Sequence, residues 1–414
     1  MMPTTDSFSW EVIRPHEPAV CADPDVVMRS ALERQADGLA AFLDGAARLG
    51  QPILLLINDS HRATRTRTAL QALASHCAGR ESPDRFRALV AAGTHRFAAA
   101  ERARFERETL ADCSLAIESV AWHDATDATA LARIGEFHFH REVAVARHLL
   151  PIGSAEPHYF AGVTGAHKTC TIGVLAREDI ERNHRGALDP ASDVMALAGN
   201  PVHDGIVRAA AALDAAGKQI FAINQVVCGG VLLGAAAGDV FGSLEELLPL
   251  VRATYIHAVE SAADVLHLRV PPPLGRSFYQ ADKALKNNQL AVRNAGGIIL
   301  EAECVEGVGP DAFMDLLRAA PDHAAAVRIV EARGYRLGDH KAVKLRYLTD
   351  PVRRGVRVAI VSRNIAPEHA RVLGMRAFSS SQEALAWLES SVGGGLRRGL
   401  MIEDAGFVSV YAAG

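Results

Sequence analysis

The feature that most restricts this chain is a repeated unit: a short, wholly apolar run that ends in polar residues and leads into a helix-like stretch. PILLLIND (52–59) and RALVAAG (87–93) are two such runs. A strand with one wet face alternates apolar and polar residues, so an unbroken apolar run predicts a parallel strand covered on both faces. Apolar positions at helical spacing predict helices over 25–48 and from about Thr66 to Cys77, with a strongly charged one in ERARFERETL (101–110). Strand, loop and helix in alternation predict a doubly wound parallel sheet, whose ligands sit beyond the C-terminal strand ends. INDSHR and GTHR occupy that position.

At 414 residues the chain is too long for one compact core. ADVLHL (263–268) reads as helical and leads into VPPPLGRS (270–277), a rigid proline-rich linker. Beyond it, YQADKALKNNQLAVRNAGG predicts a helix stopped by glycine, and IILEAECVEG a strand. GVRVAIVSRN and SQEALAWLES add one more strand and helix. The expected fold class is α/β, two domains with mostly parallel sheets and a cleft between them. Residues 1–268 form the cofactor-binding and catalytic domain and 269–392 the domain that closes the cleft. The glycine-rich SVGGGLRRG lets a tail, 393–414, return to the first domain.

The formal charge of -4 supplies no attraction for nucleic acid or an anionic membrane, so any anionic ligand must be held by local basic groups. The six cysteines (21, 77, 113, 170, 228 and 304) form no CxxC pair, which fits reduced thiols in a cytoplasmic setting. The N-terminal MMPTTDSFSWEVIRPHE has neither the basic start nor the apolar core of a signal peptide. The longest apolar run, Val226 to Gly238, falls short of the roughly 20 residues a bilayer needs.

Candidate chemistry begins at the strand ends. Asp59 and Arg62 follow one strand, and His95 and Arg96 another. Arginine grips a carboxylate or phosphate with two parallel hydrogen bonds, and histidine exchanges protons near neutral pH. The plainer alternative makes Asp59 a helix cap and Arg62, Arg65 and Arg67 a solvated face. His138 and His140 share a strand face and could ligate zinc, but no third ligand is evident nearby. His158, His167, Lys168 and His184 lie in or just after a stretch with glycines at 162, 165 and 173. Lysine is a common point of covalent cofactor attachment, against the plainer reading of a surface loop lysine. Tyr279 and Lys283, one turn apart, can project from a helix into an interdomain cleft, or merely begin an amphipathic helix. No GxGxxG after a strand, GxxxxGKS or GxSxG is present.

Taken in order, these segments resemble the lactate racemase family, whose members carry a nickel-pincer nucleotide. The resemblance rests on Asp59-Ser60-His61-Arg62 (D-x-x-R), Gly93 to Arg96 (G-T-H-R), and His158 ten residues before Lys168, the last residue of Gly165 to Lys168 (G-x-H-K). It continues through His184, GNPVH (199–203), Tyr279 to Leu285 (Y-Q-A-x-K-A-L) and Gly296-Gly297. It implies a racemase or epimerase of a 2-hydroxy acid. It further implies that Lys168 carries the pyridinium-3,5-bisthiocarboxylic acid mononucleotide covalently, with His184 as a nickel ligand beside two sulfurs and a carbon. His95 and His158 would be the acid/base pair, Arg62 and Lys283 the substrate carboxylate's holders. Asp59 would contact the cofactor or order Arg62, and Tyr279 and Gln280 would line cofactor or substrate. Cofactor-biosynthesis proteins are implied partners for loading.

One departure stands out. The family's tryptophan in the second domain has no counterpart, since Trp10, Trp122 and Trp387 lie elsewhere and His340 and Lys341 occupy the corresponding stretch. A more polar wall implies a larger or more hydroxylated acid than lactate. Two competing readings remain: a zinc-dependent hydrolase or lyase built on His138, His140 and His184, and a non-catalytic nickel-cofactor-binding protein.

Overall fold

The computed structural model describes residues 9–16, 22–78, 80, 85–111, 113–392 and 396–413. The N-terminal segment 1–8, Cys21 and the glycine run 393–395 lie outside the described residues. The fold is mixed α/β and built on two large sheets.

In the first sheet the strands run in the order Val231–Gly238, Ala222–Cys228, His148–Ser154, Ile53–Ile57, Arg85–Val90, Ala116–Trp122. All neighbours are parallel except the Ala222–Cys228 and Val231–Gly238 hairpin, which accounts for the longest apolar run of the sequence. Ile53–Ile57 is buried throughout. Ile53, Leu55 and Ile57 join one core, while Leu54 and Leu56 join another on the opposite face. Both faces are thus covered, and that is why the run does not alternate. Fully burying each of these side chains contributes roughly 1.5–3 kcal/mol, before ordering costs.

The second sheet is wholly parallel, in the order Ser9–Ile13, Arg398–Ile402, Ala263–Arg269, Val292–Glu301, Arg357–Val361, Arg376–Phe378. Three expectations change here. ADVLHL is strand, not helix: Val265 packs into one core and Leu266 and Leu268 into another. A short apolar run of that length has no period that separates the two states. The returning strand Arg398–Ile402 enters the second sheet, between Ser9–Ile13 and Ala263–Arg269, and only Ser409–Ala412 pairs back to Ile256–Val259. The proline run is then a loop at the end of a second-sheet strand, with a cis Pro272–Pro273 bond, rather than a linker between sheets. The helix expected over 25–48 is two helices, Pro24–Glu33 and Ala36–Leu49, although neither glycine nor proline marks the break.

Thr66–Cys77 and Ala99–Leu110 are helices as the spacing predicts. Phe278–Asn288 follows the proline loop, its first turn capped by Ser277, which accepts from the Gln280 N–H. Among the described residues no helix is long and apolar enough to cross a membrane.

Candidate active site

Three strands of the first sheet deliver their C-terminal ends to one cavity. Asn58 to Arg62 follow Ile53–Ile57, Ala91 to His95 follow Arg85–Val90, and Ser154 to His158 close His148–Ser154. The opposite wall comes from Leu274, Tyr279, Gln280 and Lys283 beside the second sheet, together with Leu337, His340 and Lys341. Asp59, Arg62, His95, His158, Lys168, His184, Tyr279, Gln280 and Lys283 therefore all line the same cavity.

Lys168 is placed by close backbone approaches. It lies on the single turn Ala166–Thr169, whose first N–H is received by Asn224 Oδ1 at 2.8 Å. Gly153 lets this turn sit directly on the central strand, since a Cβ there would meet the Ala166 nitrogen at 2.5 Å. At Gly165, with φ +156°, a Cβ would meet Asn224 Oδ1 at 2.7 Å. Burial, then Arg62 and Lys283, hold the half-buried Lys168 amine well below its ordinary proton affinity. That shift favours the neutral, nucleophilic form of the amine. Its Nζ stands 5.9 Å from the centre of the Phe160 ring.

The histidines are held in distinct ways. His95 Nδ1 lies 2.8 Å from Asp59 Oδ2, while Asp59 Oδ1 accepts from the His61 N–H at 2.9 Å. Burial alone would raise the Asp59 carboxyl, but His95 and His61 bring it below the usual value. Asp59 therefore orients His95 and not Arg62, which instead pairs with the fully buried Glu156 at 3.5 Å. His158 is 7% exposed; its ring stacks beside Tyr159 and receives the Ala161 N–H on Nδ1. Burial, then the neighbouring Lys168, Lys283 and Arg62, push it well below the usual histidine range. His184 is pushed down to about 3 by burial, then by Lys168 and Lys341.

Asn183 settles which nitrogen of His184 is free. Its amide Nδ2 donates to the Val202 carbonyl at 2.8 Å, so Oδ1 accepts from His184 Nδ1 at 3.1 Å. The lone pair then resides on Nε2, the arrangement of a metal-ligating imidazole. On the facing wall, Lys283 Nζ is buried and has no hydrogen-bond partner among the described residues, and burial brings its pKa to about 8. His340 is bonded on both sides, Nδ1 to the Tyr335 hydroxyl at 2.7 Å and Nε2 to the Tyr159 hydroxyl at 3.2 Å. Lys341 donates to the Tyr279 carbonyl at 2.7 Å and lies over the Tyr279 and Tyr159 rings. It ties the two walls together.

Some expectations fall away. His138 is exposed and faces Asp179 at 3.4 Å, whereas His140 caps the helix Arg141–Val145. Neither belongs to a group of three candidate ligands among the described residues. Arg65 and Arg67 do not line the cavity; the Arg65 N–H is held by Gln225, and Arg67 reaches the Glu108 carbonyl at 3.5 Å. Sequence reasoning missed His61, Tyr159, Phe160 and Glu156. The strand-end position of Ser154 to His158 was the signal available for the last of these.

A parallel-sheet α/β protein with a cationic, histidine-rich cavity at its strand ends is built to receive a small anion and move protons on it. Residues 2–195 match the family described as the lactate racemase N-terminal domain. The chain is 23% identical to the lactate racemase of Thermoanaerobacterium thermosaccharolyticum over 68% of its length and 67% of that protein's. It is 25% identical to the lactate racemase of Lactiplantibacillus plantarum over 58% of each chain. The lactate racemase apoprotein structure from the former organism superposes with a TM-score of 0.81 at 21% identity, covering 96% of this chain and 94% of that one. A Thermotoga maritima protein of known structure gives 0.71 at 14% identity, over 95% of this chain and 100% of that one. The N-terminal part of the chain is thus similar to the lactate racemase family, as a distant homologue, and the whole chain shares the fold of a lactate racemase.

Proposed function

We propose that this protein racemises or epimerises a 2-hydroxy acid with a nickel-pincer nucleotide tethered to Lys168. The observation that carries the reading is one cavity lined by a lysine of lowered proton affinity, a histidine with its Nε2 free, two further histidines and two cations that can receive a carboxylate. These residues fit the nucleotide: Lys168 would attach it and His184 Nε2 would ligate its nickel. When bound, the group supplies a reversible acceptor for the substrate's α-hydrogen and its electron pair.

The chain's own residues do the rest. Lys283, a buried cation without a hydrogen-bond partner among the described residues, takes the carboxylate with Arg62 and so fixes the α-carbon. His95, oriented by Asp59 through Nδ1, presents Nε2 as the base for the hydroxyl proton. His158, whose Nδ1 accepts the Ala161 N–H so that Nε2 carries the proton of the neutral ring, is its counterpart as donor to the substrate oxygen, because interconverting mirror images requires a proton-exchanging group on each side. Tyr159 and Phe160 exclude water beside it. The wall formed by His340 is polar where an indole would be apolar, which favours an acid larger or more hydroxylated than lactate.

Co-production with the cofactor-building enzymes, followed by chiral chromatography of enantiopure 2-hydroxy acids, tests the reading. Inversion should appear with at least one acid, and intact mass should show an adduct that Lys168→Ala lacks. A loaded protein that inverts no acid, and whose His95→Ala and His158→Ala variants behave like the parent, would leave a cofactor-binding role instead.

A further inference from the structure

His61 has no part in the reaction described above, yet it sits inside the cavity with its Nδ1 buried and, among the described residues, without a hydrogen-bond partner. Its ring meets that of His95 edge-on at 4.6 Å, Asp59 accepts its backbone N–H at 2.9 Å, and Glu306 and Arg62 are the other charged groups that act on it. One ligand atom each from Asp59, His61 and His95 lie within 4.8 Å of one another. Atoms so arranged share a centre no more than about 2.8 Å from each, and side-chain shifts of at most roughly 0.6–0.8 Å bring them to the 2.0–2.2 Å of metal–nitrogen and metal–oxygen bonds. The neighbouring guanidinium, Arg62, is engaged by Glu156 at 3.5 Å, though its charge still bears on His61.

We infer that Asp59, His61 and His95 form a second metal site, distinct from the ligand His184, for a divalent first-row transition cation of the zinc type. Two imidazoles and one carboxylate suit such an ion, and leave coordination positions for water. Asp59 is deprotonated, as a ligand must be, and neutral imidazole supplies one lone pair per ring. Binding therefore has a consequence for the proposed reaction, on which this part rests. Whichever nitrogen of His95 holds the ion, the other must carry the ring proton. The ring then has no lone pair for the substrate hydroxyl, and the cation is a chelator-reversible inhibitor.

The test uses the full-length apoprotein and cobalt(II), whose visible absorption reports its ligands. One equivalent should bind and give a visible band. His61→Ala and His61→Gln should both weaken binding by more than the roughly 10- to 100-fold that loss of an outer-shell partner costs. Circular dichroism confirms that each variant is folded, and His184→Ala should bind cobalt as the parent does. Undiminished binding in both His61 variants, loss of binding in His184→Ala, or no binding by the parent overturns the site. These readouts need no turnover, so they stand apart from the success or failure of the racemase reading. In loaded enzyme, zinc inhibition relieved by chelator and absent in His61→Gln supports the regulatory consequence; inhibition that persists in that variant refutes it.

Discussion

Asn183 Oδ1 accepts a hydrogen bond from His184 Nδ1 at 3.1 Å, and the orientation of that amide is set by its other end, which donates to the Val202 carbonyl. The residue beside a proposed metal ligand thus decides which imidazole nitrogen carries the lone pair. Replacing Asn183 with Ala removes the acceptor and frees the ring to rotate. Nickel affinity of the loaded protein should fall roughly 10- to 100-fold. Elemental analysis after dialysis against a graded chelator series measures it, and nickel retention equal to the parent's would show that the amide has no such role.

Asp59 stands in the same relation to His95, at 2.8 Å from Nδ1. Asp59→Asn keeps the shape but can present an N–H where an acceptor is needed, turning the imidazole to the wrong tautomer. We expect kcat to drop by roughly 100- to 10,000-fold, as loss of a base's orienting carboxylate does elsewhere. KM should change little, because the carboxylate holders are untouched. A variant with parental kcat removes Asp59 from the mechanism.

Buried neutral histidines make stability depend on acid. Burial lowers His184 to about 3, and His123 and His257 to about 4, from 6.5. Between those values an unfolded chain binds protons that the folded chain refuses, so protons favour unfolding. This stability is intact above pH 6.5 and drains as pH falls from 6.5 toward about 3–4. Urea midpoints should decline steadily over pH 6.5 to 4.5, and His123→Gln should flatten that slope relative to its own value at pH 7.5. A level parental profile across this window contradicts the account.

Arg346 is a structural counterpart, 6% exposed, donating to the carbonyls of Ala320, Leu317 and Val372 at 2.7–2.8 Å. It satisfies the ends of Asp311–Ala319 and Pro367–Val372, which pack on the second sheet. Arg346→Met would leave those acceptors unpaired in a dry setting. A loss of about 3–5 kcal/mol is expected from orphaned buried groups at roughly 1–3 kcal/mol each. Equilibrium denaturation reads it, and a change below 1 kcal/mol would mean that water replaces the guanidinium.

Two strands of the first sheet, Ile53–Ile57 and Arg85–Val90, were legible because they are local statements, whereas His148–Ser154 and Ala116–Trp122 were not identified. Ile53–Ile57 carries its double burial in five consecutive apolar residues, and the polar residues after it could only stand at the sheet's edge. Ala263–Arg269 was not, since its strand state depends on partners at Val292–Glu301 and Arg398–Ile402 that lie far away in the chain. For the same reason the final segment could be seen to return but not where. Within the site, single residues such as Lys168 and His184 carried their chemistry in their type and spacing. His61 and Glu156 did not, because an imidazole two residues from an aspartate, or a lone glutamate, means nothing until its neighbours are known.

The sequence by itself determined the α/β class, the strand ends that would bear the chemistry, and the ordered residues that mark the lactate racemase family. Hydrophobic period and residue type are properties of neighbouring positions, so no folding is needed to read them. Tertiary structure alone decided that Asp59 faces His95 while Glu156 takes Arg62, that Asn183 frees Nε2 of His184, and that His340 is fastened between two tyrosines. Each of these is a hydrogen bond or ion pair of 3.5 Å or less, several of them between residues far apart along the chain. Directional forces of that range exist only once the hydrophobic cores have set the strand ends of the first sheet side by side and, for His340 and Tyr159, brought the two walls of the cavity together.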